Sequence, residues 1–92
     1  MKQTPKMKKL LERMAAIDRM ERGKLCQMPG RPYYNHQTWH NGRNEVRYVS
    51  ASDVEAVRKA IADYQLFMKL AKQYADEVIR LTRREREKKK GR

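Results

Sequence analysis

The residues with the widest chemical repertoire crowd the middle of the chain: His36, Thr38 and His40, then Arg43 and Arg47, with the single cysteine, Cys26, shortly before them. Two histidines four residues apart raise the question of a metal. On an extended strand they share a face but stand about 13 Å apart. A tetrahedral ion with ligands at about 2 Å cannot bridge that gap. Cys26 alone provides neither an internal disulfide nor a thiolate cage. No histidine or acid is placed around it in sequence, and a nucleophilic thiol needs a base or a positive field to hold the thiolate. There is no Gly-rich phosphate loop, Ser-centred nucleophile elbow or paired-carboxylate motif. The expectation is a protein that is not an enzyme, with no catalytic residue, no metal, no cofactor and no small-molecule substrate.

Recognition of a polyanion suits these residues better. Lysine and arginine number 23 against 11 acids, for a net charge of +12. Residues 1–31 carry +6, residues 80–92 carry +6, and the stretch between is nearly neutral. An imbalance of this size favours nucleic acid, anionic membrane or an acidic protein. A two-stranded ribbon fits the DNA major groove, about 12 Å wide. Arg43 and Arg47 on one ribbon face match the acceptor edge of guanine, with His36, Thr38 and His40 alongside for base edges or phosphate. Arg83, Arg84, Arg86, Lys88, Lys89 and Lys90 then hold phosphates without reading sequence, giving a steep salt dependence. DNA is the preferred partner and RNA the other; Trp39, Tyr33 and Tyr34 suit the stacking of unpaired bases. A different class of function is an oligomeric assembly adaptor for an acidic protein.

The elements that must position these residues are legible from periodicity. Val54, Val57, Ile61, Tyr64, Met68, Ala71, Ala75 and Val78 step by three or four, the mark of one helix face. With no Gly or Pro, residues 52–89 read as one long helix on the order of 55 Å in length, opened by a capping box between Ser52 and Glu55. Thr4-Pro5 reads as an N-cap and first turn. Met7, Leu10, Leu11, Met14, Ile17 and Met20 continue a first helix over 4–22, stopped by Gly23. Residues 23–32, with Pro29-Gly30 and Pro32, read as a linker.

Residues 33–49 read as a β-hairpin, because Asn41-Gly42 is the preferred pair for a two-residue type I′ turn. That register sorts the side chains. Tyr33, Trp39, Val46 and Tyr48, with Asn35, Gln37 and Asn44, share one face, expected to rest on a helix. His36, Thr38, His40, Arg43, Glu45 and Arg47 share the other, expected to face a partner, with Tyr34 and Val49 near its base.

The fold class expected is therefore α+β: an N-terminal helix, a two-stranded antiparallel hairpin and a long C-terminal helix in a single small domain over 1–92, with a basic tail from 80. A core this small is marginal alone. The stripe around Phe67–Leu81 predicts a homodimer through the long helix. No apolar run reaches the roughly 18 residues of a membrane span, and the basic start lacks an apolar segment after it. The expected location is the cytoplasm, at the nucleoid if DNA is bound.

The order Arg31-Pro32-Tyr33-Tyr34, Trp39, Gly42-Arg43, Arg47-Tyr48-Val49, then Val54, Val57, Tyr64 and Phe67, over about half the chain, resembles a family of small uncharacterised bacterial and archaeal proteins. The resemblance implies a helix, a tyrosine-rich hairpin and a long helix in succession, and an accessory place beside transposases on mobile elements. Members carry a cysteine-rich loop before the hairpin, where Cys26 stands by itself here. More loosely, the hairpin-then-helix order resembles the arm-binding modules of phage integrases, which implies a ribbon that reads DNA.

Overall fold

A computed structural model of the protein describes the backbone of residues 2–90 and the side chains of residues 2–88. The elements run α1 (Pro5–Ala15), β1 (Lys24–Gln27), β2 (Tyr34–His40), β3 (Arg43–Val49), a 3₁₀ turn (Ala51–Asp53) and α2 (Val54–Lys90). The class is α+β, but the sheet has three antiparallel strands in the order β1-β2-β3. The expected two-stranded hairpin is thus corrected: Lys24–Gln27, within the expected linker, is a strand. Lys24-Leu25-Cys26-Gln27 is too short to show a period, yet it supplies the third strand that a lone hairpin needs for stability in water. The β2–β3 register, from His40 opposite Arg43 to Tyr34 opposite Val49, is the one that the Asn-Gly turn dictates. Asn41 and Gly42 both have positive φ, as a type I′ turn requires.

The chain divides into two compact units, one of residues 1–18 with 66–92 and one of residues 19–65; α2 contributes to both. In the first unit, the hydroxyl of Thr4 accepts the Met7 backbone N–H at 3.2 Å and caps α1. The same hydroxyl donates to Glu77 Oε2 at 3.1 Å, while Arg80 Nε donates to Glu77 Oε1 at 3.0 Å. Met7, Leu10 and Leu70 are buried here, Leu70 at 1 % exposure. The hydrogen bond from Arg80, reinforced by Thr4 and by the charges of Arg80 and Lys6, holds the Glu77 carboxyl below its ordinary range against the opposing effect of burial.

α1 ends seven residues before the expected boundary. The Ala16 and Ile17 N–H groups bond back to the last turn, and the helical spacing of Ile17 and Met20 is not used beyond it. In the second unit, the Glu21 N–H donates to the Ala60 carbonyl at 3.0 Å. The Arg22 carbonyl accepts from a side chain of the sheet. These backbone groups are claimed by tertiary partners and so cannot join a helical ladder. Gly23 does have the positive φ expected of it, but as the entry to β1, not as a helix stop. A Cβ there would collide with the Gln37 carbonyl oxygen. The capping box at Ser52 is likewise replaced: Ser50 is extended, its hydroxyl donates to Asp53 Oδ2 at 3.1 Å, and the 3₁₀ turn shifts the start of α2 to Val54.

Two outcomes follow. Gly23→Ala combines a left-handed backbone with a backbone clash, whereas Gly42→Ala meets the left-handed backbone alone, at about 1–3 kcal/mol for a strained φ; Gly23→Ala should therefore destabilise the more of the two, and urea unfolding compares them. The Glu77 clamp, having a lowered carboxyl, contributes fully above the unfolded-state value of about 4.3 and is lost as pH falls through the folded-state value. Glu77→Gln should therefore lower the melting temperature at neutral pH, and the gap to wild type should close in acid.

Candidate nucleic-acid interface

Which face of the sheet is free is decided by its central residues. The face bearing Trp39 and Tyr48 has amides in its middle: Asn35 and Gln37 on β2 and Asn44 on β3. An amide offers two donors and an oxygen with two lone pairs, and burial without partners for them is costly. Among the described residues, Asn35 alone of the three has a side-chain partner, donating to Met28 Sδ at 3.0 Å. The opposite face carries Leu25, Tyr34, His36 and Val49, and the buried imidazole there is satisfied. His36 is 3 % exposed, and its Nε2–H donates to the Arg22 carbonyl at 2.6 Å. On β2 the packed and free residues, His36 and Trp39, are thus the reverse of expectation, while β3 is exposed on both faces from Arg43 to Tyr48.

Trp39 is 56 % exposed, Val46 51 % and Tyr48 67 %. Tyr33 and Tyr48 are in tilted contact, with ring centroids 4.9 Å apart. The Arg31 guanidinium lies 5.9 Å from the Tyr33 ring centre and donates from Nη1 to its hydroxyl at 3.3 Å. Lys24 Nζ stands 5.8 Å from the Trp39 ring centre. Two aromatic sites, each with its own cation and with amides between them, therefore lie on one open sheet face.

The residues expected on a DNA-reading ribbon face fare differently from one another. His36 is a structural residue beneath the sheet. Thr38 is half-buried, and His40, Arg43 and Arg47 are exposed. Thr38, His40 and Arg47, with Glu45, line an open cleft of about 470 Å³ together with Met20, Glu21, Arg22, Trp39 and Tyr64. Arg47 donates to Glu45 at 3.3 Å, and Arg22 lies 5.7 Å from the Tyr64 ring centre. That face is a mixed-charge concavity whose base is packed. It does not stand clear as a ribbon.

In the first unit, Arg83, Arg84, Arg86 and Lys88 are exposed on α2, and none has an ion-pair partner among the described residues. The side chains of Lys89 and Lys90 lie outside the described residues. Lys2 joins Arg84 and Lys88 around one shallow cleft. Lys2 and the cations of α2, about 80 residues apart in sequence, therefore lie around one cleft, with Glu85 among them. The Thr4–Glu77 hydrogen bond holds the start of α1 against α2, a contact that periodicity does not announce. Lys24, Arg31 and Tyr48 join the open face only through the tertiary structure.

Among the described residues no cluster of three potential metal ligands is found, and no helix is long and apolar enough to cross a membrane.

His36→Phe should leave the Arg22 carbonyl unpaired under the sheet and lower stability by about 1–3 kcal/mol. Chemical denaturation measures this, and a variant as stable as wild type would show the bond to be dispensable. Comparison of the chain with family models, with curated proteins and with solved structures finds no match to any of them.

Proposed function

We propose that this chain is a non-enzymatic binder of single-stranded nucleic acid. The observation that carries the reading is the open sheet face on which Trp39 and Tyr48 are more than half exposed. Large aromatic side chains are normally drawn into cores. On an open sheet with cations beside them they suit the stacking of unpaired bases, whose phosphates the cations meet. Asn35, Gln37 and Asn44 between them offer donors and acceptors to base edges. The basic patch of Lys2, Arg83, Arg84, Arg86 and Lys88 adds sequence-independent attraction.

Duplex reading through His36, Thr38, His40, Arg43 and Arg47 is the weaker proposal, because His36 is buried and Thr38 is half-covered. An acidic protein partner would satisfy the cations but leave the exposed aromatic face without a role. A place beside transposases on mobile elements rests on the resemblance over residues 31–67 and assigns no residue a task.

The test is fluorescence anisotropy with labelled single-stranded DNA, RNA of the same sequence and the corresponding duplex, across a salt series. Single strands should bind more tightly than duplex. Trp39→Ala and Tyr48→Ala should each weaken single-strand binding by about 1–3 kcal/mol, while removal of residues 83–92 should reduce the salt slope and weaken all sequences alike. Duplex affinity equal to that of single strands, with no loss from either aromatic variant, would sink the reading.

A further inference from the structure

β3 is a seven-residue strand with a neighbour on one side only. Arg43 to Tyr48 are all exposed. An open edge of this length presents a row of unpaired backbone N–H and C=O groups and templates the addition of another strand. The turn tells which residues offer those groups. A two-residue turn is closed by a pair that exchanges both hydrogen bonds, here His40 and Arg43. Pairs alternate from there. Arg43, Glu45, Arg47 and Val49 direct their backbone groups toward β2, and Asn44, Val46 and Tyr48 direct theirs outward.

We propose that this outward edge pairs antiparallel with β3 of a second copy of the chain, about a two-fold axis at Val46, making one six-stranded sheet. In that register Val46 faces its own equivalent and Asn44 faces Tyr48 of the second copy. All three outward residues then exchange backbone bonds. Glu45 faces Arg47 of the second copy at a position without backbone bonds, where opposed Cα atoms come closest, at about 4.5 Å. Symmetry makes this ion pair twice.

Neighbouring registers are worse for stated reasons. An axis at Glu45 opposes two carboxylates and an axis at Arg47 opposes two guanidinium groups, and like charges directly opposite destabilise a sheet. An axis at Asn44 runs the pairing into the turn at Gly42, and one at Tyr48 runs it past the end of the strand; both lose hydrogen-bonded pairs. The contact that Arg47 makes with Glu45 inside one chain is exposed on both sides, so exchanging it across the axis costs little. The alternating charges repel most foreign strands and complement this one.

Because directly opposed residues share a face, the pairing would set Trp39 and Tyr48 of both copies on one continuous surface. That consequence matters to the nucleic-acid reading; the pairing itself does not depend on it.

Sedimentation velocity of the full chain over a concentration series tests the proposal. Wild type should dimerise. Glu45→Arg and Arg47→Glu should each weaken the dimer by about tenfold or more, since each places like charges opposite one another twice, and the double variant E45R/R47E should regain wild-type affinity. Val46→Pro removes the central outward N–H, which an edge strand tolerates, and should give monomers with an unchanged circular dichroism spectrum. A wild type that is monomeric throughout, or a dimer indifferent to both single reversals, overturns the proposal. So does a dimer that Met68→Lys or Ile79→Lys on α2 abolishes while the reversals do not. Strand binding measured on the same samples separates the two readings: a monomer that binds through Trp39 removes the pairing alone.

Discussion

The hydrogen bond from buried His36 to the Arg22 carbonyl is the constraint around which the sheet is organised. A three-stranded sheet in a unit of fewer than 50 residues can cover only one face. The covered face must place no polar group out of reach of a partner. His36 meets that condition because a chain segment passing beneath the sheet supplies a carbonyl at hydrogen-bonding distance. The same segment is tied on its other side by the Glu21 N–H to the Ala60 carbonyl. One short irregular stretch thus joins sheet to helix, and for that reason it cannot be helical itself.

With that face closed, the face left open carries aromatic rings at its margins and amides at its centre. The aromatic count alone argues for burial; the amides argue against it, and they win. A buried apolar ring gains on the order of a few kcal/mol at most, whereas each unpartnered amide in the same interface costs a comparable amount, and among the described residues Gln37 and Asn44 have no side-chain partner. The outcome is a polar sheet surface with exposed aromatic rings and cations beside them, the combination on which the proposed stacking of unpaired bases rests.

The first unit works on different physics. Its apolar core is small, and Glu77 is a buried carboxylate that persists because Thr4 and Arg80 both donate to it. The threonine hydroxyl serves twice, accepting from the first turn of α1 and donating to α2. This ties the start of the chain to a turn of α2 close to the arginine-rich segment. Like charges are thereby brought together, which is unfavourable in the free protein. A bound polyanion, as proposed, would relieve that repulsion.

Periodicity and turn chemistry by themselves determined much of this protein. The Asn41-Gly42 pair set the register of β2 and β3, because both turn residues need positive φ. The run without Gly or Pro after Ser52 set the long helix, and Thr4-Pro5 set the start of α1. These are local effects, carried by backbone sterics within a few residues. Three matters were decided only in three dimensions. β1 exists because Lys24–Gln27 finds β2 beside it, and four residues carry too short a pattern to announce a strand. α1 stops early because Glu21 and Arg22 bond to partners distant in sequence. The open face of the sheet is the aromatic one because burial is settled by whether every polar group on a face can be paired, and only the tertiary structure brings the Arg22 carbonyl to His36.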